Sequence, residues 1–347
     1  MYRQREGIEN TMQTNRNRNA NLFLLTTGVA IIVATLISLC IGKYPLSVSK
    51  IFAILLNREH SAMDAKVLMN LRLPRTVMAI LAGFGLGIAG NVYQTIFKNP
   101  LASPDIIGIS SGANLGAAVA IVLAGSSIIG VASGAFVGGL LAVILVILLV
   151  KATNSNSTAT YVLGGIIISS VTKALIMLLK YYADSESQLA TIEYWTMGSL
   201  ASVTGEKVLM ILPFWLVGTI GLVLLYRQVM LLALNEDECR SLGVRIRPIR
   251  LSVLLFSTLL VASVICITGL ISFLGLIAPH IASMMVKKRD RSTMILSGFV
   301  GAVVMLVSDI CARSMTAAEV PISILTTIIG VPFLVYFMCK RKGGKVW

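Results

Sequence analysis

The chain has 347 residues, of which 56% are apolar and 13% charged, and it carries a formal net charge of +14. This balance excludes a water-soluble domain, whose surface at this length must be covered by polar side chains. The basic excess needs no nucleic-acid partner, because its distribution follows membrane topology.

Residues 1–21 form a polar tail rich in Asn and Arg, and no small-residue cleavage site follows a short apolar core. The first apolar run, 22–42, is therefore expected to be a retained anchor. Further runs of spanning length follow at 76–97, 106–124, 127–150, 160–179, 208–226, 250–268, 271–286, 293–312 and 321–339, ten in all. The stretch 250–286 is too long for one helix and just long enough for a full span plus a short broken one containing Pro279, which leaves nine or eleven spans as alternatives. With ten spans both termini share one side, and that side carries 19 Lys and Arg against 7 Asp and Glu, the other 9 against 8. Positive charge is retained in the cytoplasm, so both termini are expected there. Lys173 is left inside a span, where a snorkelling or interhelical role is favoured.

Residues 71–75 read Leu-Arg-Leu-Pro-Arg, and Pro74 is expected to hold Leu73 extended at a helix start. Arg72 and Arg75 fit two roles, interface anchors or an outward docking site for a soluble partner's carboxylates. Gly83, Gly85, Gly87 and Gly90 mark close helix approach. Asn99-Pro-Leu-Ala-Ser-Pro-Asp105 follows, expected as a rigid cytoplasmic turn that serves either an inner gate or a tight connection.

The loop 234–248 reads as a short cytoplasmic helix: Asn235 caps it, Glu236, Asp237 and Glu238 suit its positive end, and Gly243 ends it. Such a helix, followed by Arg245, Arg247 and Arg250, is shaped to dock in another subunit. The five cysteines lack paired spacing, and His60 and His280 lack a second ligand at helical spacing. No Walker, HExxH or GxSxG sequence occurs, so no catalytic residue, metal site or cofactor is expected on this chain, and ATP with Mg would be bound by a separate ATPase.

Four blocks resemble the FecCD family of ABC-transporter permeases: Leu71-Arg-Leu-Pro-Arg75; Asn99-Pro-Leu-Ala-Ser-Pro104 with Gly108 and Ser111-Gly-Ala; Gly269-Leu-Ile-Ser-Phe-Leu-Gly-Leu-Ile-Ala-Pro-His280; and Glu319-Val-Pro-Ile with Gly330-Val-Pro-Phe333. The resemblance implies an all-α, type II importer permease in the bacterial cytoplasmic membrane, with a 22–340 transmembrane domain, a coupling region at 234–248 and a cytoplasmic 341–347 tail. It implies a dimer with itself or a homologous permease, two ATPase subunits below and a substrate-binding protein above. It aligns Asn235, Glu236, Asp237, Glu238, Arg240, Leu242 and Gly243 with ATPase coupling, Arg72, Arg75 and Arg313 with carrier docking, and Asn99, Leu101 and Thr158 with an inner gate. Departures at Ser272-Phe-Leu, Ala278-Pro-His, Asp290-Arg291 and Val-Pro-Ile-Ser323 remove no chemically indispensable group.

The implied cargo is a chelated metal, an iron siderophore first, with haem and cobalamin as alternatives. A bare ion is disfavoured because the spans lack clustered His, Cys or carboxylate ligands. An ion-coupled secondary transporter would place ionisable groups inside the spans, where Lys173, His280, Asp309 and Glu319 are the candidates, and the two acidic ones lie near an outer boundary.

Overall fold

The computed structural model of the chain describes residues 2–59, 61–125, 127–153, 157–234, 236–286, 290–316 and 318–340. Every regular element among them is helical, as lipid requires of open spans, because a helix satisfies its backbone polar groups within itself. In chain order the helices are α1 (Tyr2–Cys40), α2 (Val48–Leu55), α3 (Ala62–Lys66), α4 (Leu73–Ile96), α5 (Ile109–Ala124), α6 (Ile128–Ala152), α7 (Thr158–Tyr182) and α8 (Gln188–Met197). They continue with α9 (Gly205–Leu224), α10 (Tyr226–Leu232), α11 (Glu236–Ser241), α12 (Ile246–Thr268), α13 (Leu274–Val286), α14 (Arg291–Ser314) and α15 (Ile322–Lys340). Among the described residues seven helical stretches are long and apolar enough to span a bilayer, and three shorter apolar helices, Ile109–Ala124, Leu274–Val286 and Ile322–Phe337, bring the set to the expected ten.

Polar side chains set several starts. Ser127, Ser157 and Asp290 accept from the backbone N–H groups of Gly130, Thr160 and Thr293, which caps α6, α7 and α14.

At Pro74 the structure corrects the sequence reading. Leu73 is helical (φ −61°, ψ −50°), and a π-helical segment, Val67–Arg72, joins α3 to α4 in one continuous stretch. Pro74 lacks an N–H and its ring crowds the carbonyl one turn back. The wider π turn accommodates that defect without breaking the helix.

Helix α4 is the centre of the bundle, and its glycines pack on four neighbours. A Cβ on Gly83 would lie 2.3 Å from the Gly301 carbonyl oxygen of α14, and one on Gly87 2.1 Å from that of Ser297. Gly90 faces α13, where a Cβ would meet the Gly275 oxygen at 1.7 Å, while Gly85 turns towards Trp215 and Leu260. Backbones this close exchange apolar side-chain volume for direct dispersion contact, the main attraction available between helices in lipid.

Helix α13 is only a partial span. The 13 residues of α13 rise about 20 Å, short of a ~30 Å hydrocarbon core. Before α5 the chain turns back along α4 through a 3₁₀ turn, Pro104–Ile107, with Gly108 left-handed at φ 81°. A Cβ on Gly275 would lie 3.2 Å from the Pro104 ring and 3.3 Å from the Leu86 oxygen. Leu86 is near the midpoint of α4, so Asp105 lies deep within the bundle and not, as expected, in a turn at its cytoplasmic surface.

Candidate functional site

Three arginines converge at the end of the bundle where α4 begins. Arg72, Arg75 and Arg313 are 5%, 8% and 7% exposed. Arg75 Nε donates to Asp309 Oδ1 at 2.7 Å, and Arg75 Nη1 to both carboxylate oxygens of Glu319 at 2.8 and 2.9 Å. Arg313 Nε lies 3.3 Å from Asp309 Oδ2, and its Nη2 donates to the carbonyl and hydroxyl oxygens of Ser38, both at 2.7 Å. Arg72 donates to the carbonyl oxygens of Leu39 and Tyr44. The cluster therefore joins α1, α4, α14 and the segment leading into α15.

This corrects the outward-facing geometry expected of the three arginines. The end of α1 and the approach to α15 fold over them, and each desolvated guanidinium takes partners within the chain, as buried charge requires. A depression of about 420 Å³ is lined by Ile41, Gly42, Lys43, Arg313, Ser314 and Thr316, so of the three arginines Arg313 alone borders it. Beside it, Asp64 accepts from Tyr44 Oη (2.7 Å) and pairs with Lys50 (3.1 Å). Hydrogen bonding to Asp64 raises the pKa of both partners.

Sequence reasoning missed Asp309 and Glu319 as the arginines' partners: both were weighed as ion-coupling groups, and Glu319 also as part of a family block. The spacing of Asp309 and Arg313, four residues apart on one helix, was the available signal.

At the opposite, basic end, α4 stops at Ile96 and the chain tightens through Asn99, whose Oδ1 accepts from Leu101 N–H at 2.9 Å. Leu101 projects outward, 56% exposed. Thr158 opens α7, and Gly165, two turns along, lies against the Ile106 backbone. That spacing puts Thr158 about 10 Å along the α7 axis from the re-entrant turn, on the side of Asn99 and Leu101. His280 is a packing residue: its Nδ1 lies 3.0 Å from the Leu276 oxygen and its ring meets Phe337 edge-on.

The expected surface helix exists as α11. Asn235 lies outside the described residues, as do the side chains of Glu236, Asp237 and Arg240. Gly243 sits at φ 71°, and Val244 N–H bonds back to the Cys239 oxygen at 2.9 Å, a six-to-one closure that glycine makes accessible. Cys239 fastens the helix inward, donating from Sγ to the Leu231 oxygen at 3.1 Å, and Lys98 Nζ, just past the end of α4, donates to the Leu234 oxygen at 2.5 Å. Leu242 is left 61% exposed. A buried anchor on one side and an exposed leucine on the other make a knob fastened to the bundle through Cys239.

A family model described as the FecCD transport family matches residues 30–340. The chain belongs to the FecCD transport family. Its relatives include the molybdate import system permease protein MolB of Haemophilus influenzae, 39% identical over 93% of this chain and 96% of that protein. They also include the Fe(3+)-citrate import system permease protein YfmE of Bacillus subtilis, 31% identical over 94% and 97% of the two chains. The hemin transport system permease protein HmuU of Yersinia pestis is 31% identical over 79% and 83%. Among solved structures, an inward-facing metal-chelate type ABC transporter superposes with a TM-score of 0.83 at 36% identity, covering 91% of this chain and 98% of that one. This FecCD chain is therefore a multi-pass ABC importer permease for chelated metals or related substrates. Its four sequence blocks fall at the π segment, the two re-entrant breaks, and Glu319 with α15, where regular helix gives way or charge is buried.

Proposed function

We propose that this chain is the membrane-spanning subunit of an importer for an iron siderophore, with haem and cobalamin chelates as related cargoes. The family match carries this reading, supported by relatives named for Fe(3+)-citrate and hemin. The basic end is the cytoplasmic one, two permeases enclose the pathway, and ATP is hydrolysed by two separate subunits seated on α11. A substrate-binding protein docks at the arginine end, where a carboxylate can approach Arg313 through the depression beside it, while Arg72 and Arg75 become available only if the cluster opens. The identity to MolB favours a second reading, molybdate as cargo.

Uptake of radioactive iron, given as ferric hydroxamate, ferric citrate and haem, and of radioactive molybdate tests the cargo in cells with and without the chain. Loss of one iron chelate, restored by re-expression, is the expected result. Loss of molybdate uptake alone overturns the iron reading.

Leu242→Asp replaces the exposed apolar tip of α11 with a charge while leaving its Cys239 anchor intact. The variant is expected to reach the membrane at normal levels but to lose roughly tenfold or more in ATPase co-purification, the effect of truncating an interface anchor. Normal co-purification would remove α11 from the coupling role.

A further inference from the structure

The bundle contains a cavity of about 240 Å³ at the depth of the α4 midpoint, lined by Leu86, Ser103, Asp105, Ser110, Ser272 and Phe273 among others. Two breaks meet there: the 3₁₀ turn before α5, backed by α7 through Gly165, and the 270–273 link before α13, backed by α15 through Gly330. Asp105 accepts hydrogen bonds from Ser110 Oγ and, at 3.4 Å, from Ser103 Oγ. The residue nevertheless remains exposed, so its carboxyl faces open space well inside the thickness of the membrane. Lipid does not solvate such a group, and ionisable residues at this depth face a water-filled cavity or a substrate route. Arg75 and Arg313 are held in the cluster at the bundle end, and the cavity lining includes no basic side chain.

We infer that Asp105 is a specificity-determining residue on the cargo route, making this cavity a site that accepts hydroxyl, ammonium or other hydrogen-bond donors of an organic metal chelate and disfavours a free oxyanion. The inference rests on the importer reading and narrows its substrate class. The three serines extend the hydrogen-bonding surface, and Leu86, Phe273 and the Ile265 and Leu276 side chains supply apolar walls for the body of a chelate. One carboxyl in a broad, otherwise weak surface selects cargo without holding it tightly, which conduction requires.

The test uses the assembled transporter in lipid vesicles, with the five native cysteines replaced by Ala and Ser272→Cys introduced at the cavity wall. A cationic methanethiosulfonate, the trimethylammonium ethyl reagent, is expected to react roughly tenfold or more faster than the anionic sulfonatoethyl reagent, because a nearby carboxylate concentrates cations. Adding Asp105→Asn is expected to collapse that preference. Leu276→Cys repeats the measurement should Ser272→Cys fail to assemble. A thiol inert to both reagents with and without ATP, or a preference unchanged by Asp105→Asn, overturns the assignment and leaves the importer reading intact. In the uptake panel Asp105→Asn is expected to raise the apparent KM for the transported iron chelate at least several-fold. If wild type carries molybdate and no chelate, the substrate class is overturned together with the iron reading, even where the thiol preference holds.

Discussion

Asp309→Ala is expected to destabilise the permease by about 3–5 kcal/mol, the cost of removing one partner from a buried ion pair. The Asp309 side chain is fully buried between Arg75 and Arg313, whose side chains are 10% and 7% exposed. Without it, two guanidinium groups would share one remaining carboxylate, Glu319, whose side chain is 27% exposed. The measurement is the thermal midpoint of the purified permease in detergent, with Asp309→Asn and Glu319→Gln expected to cost less. A loss under about 1 kcal/mol, typical of exposed pairs, would mean that the cluster is solvated in the membrane. The same geometry governs how carrier-docking experiments must be read. Arg→Glu changes at 72, 75 and 313 would add negative charge to a buried cluster, so lost carrier affinity would not distinguish a docking surface from a misfolded one.

Gly90→Val is expected to reduce folded permease by roughly tenfold or more, because overpacking at a rigid contact costs 1–3 kcal/mol or higher. A Cβ here would sit 1.7 Å from the Gly275 oxygen, so α4 and α13 would have to separate at the wall of the central cavity. Gly85→Ala is the comparison. Its Cβ would meet side-chain atoms of Trp215 and Leu260 at 3.0 and 3.1 Å, and these neighbours can shift by a few tenths of an ångström. Size-exclusion recovery of both variants checks the ordering, and equal recovery would mean that the α4–α13 contact is not rigid.

Burial was legible where chemistry made it costly to do otherwise. The glycine rhythm of α4 announced close approach because glycine has little other use in a spanning helix, and Gly83, Gly87 and Gly90 do face neighbouring backbones. Gly243 announced the end of α11 through its positive φ. Pro74 misled, because a local rule about the preceding residue is overridden when a π turn makes room for the ring. The arginines misled for a different reason: charge in sequence carries no sign of whether a partner 234 residues away will reach it, as Asp309 reaches Arg75.

The amino-acid sequence by itself determined the solvent, the ten apolar segments and the family, since local hydropathy and four ordered motifs depend only on neighbours along the chain. Tertiary structure decided where the charges lie. It buried the three arginines against Asp309 and Glu319 and carried Asp105 to the depth of the α4 midpoint, because electrostatic surroundings are set by which helices pack together.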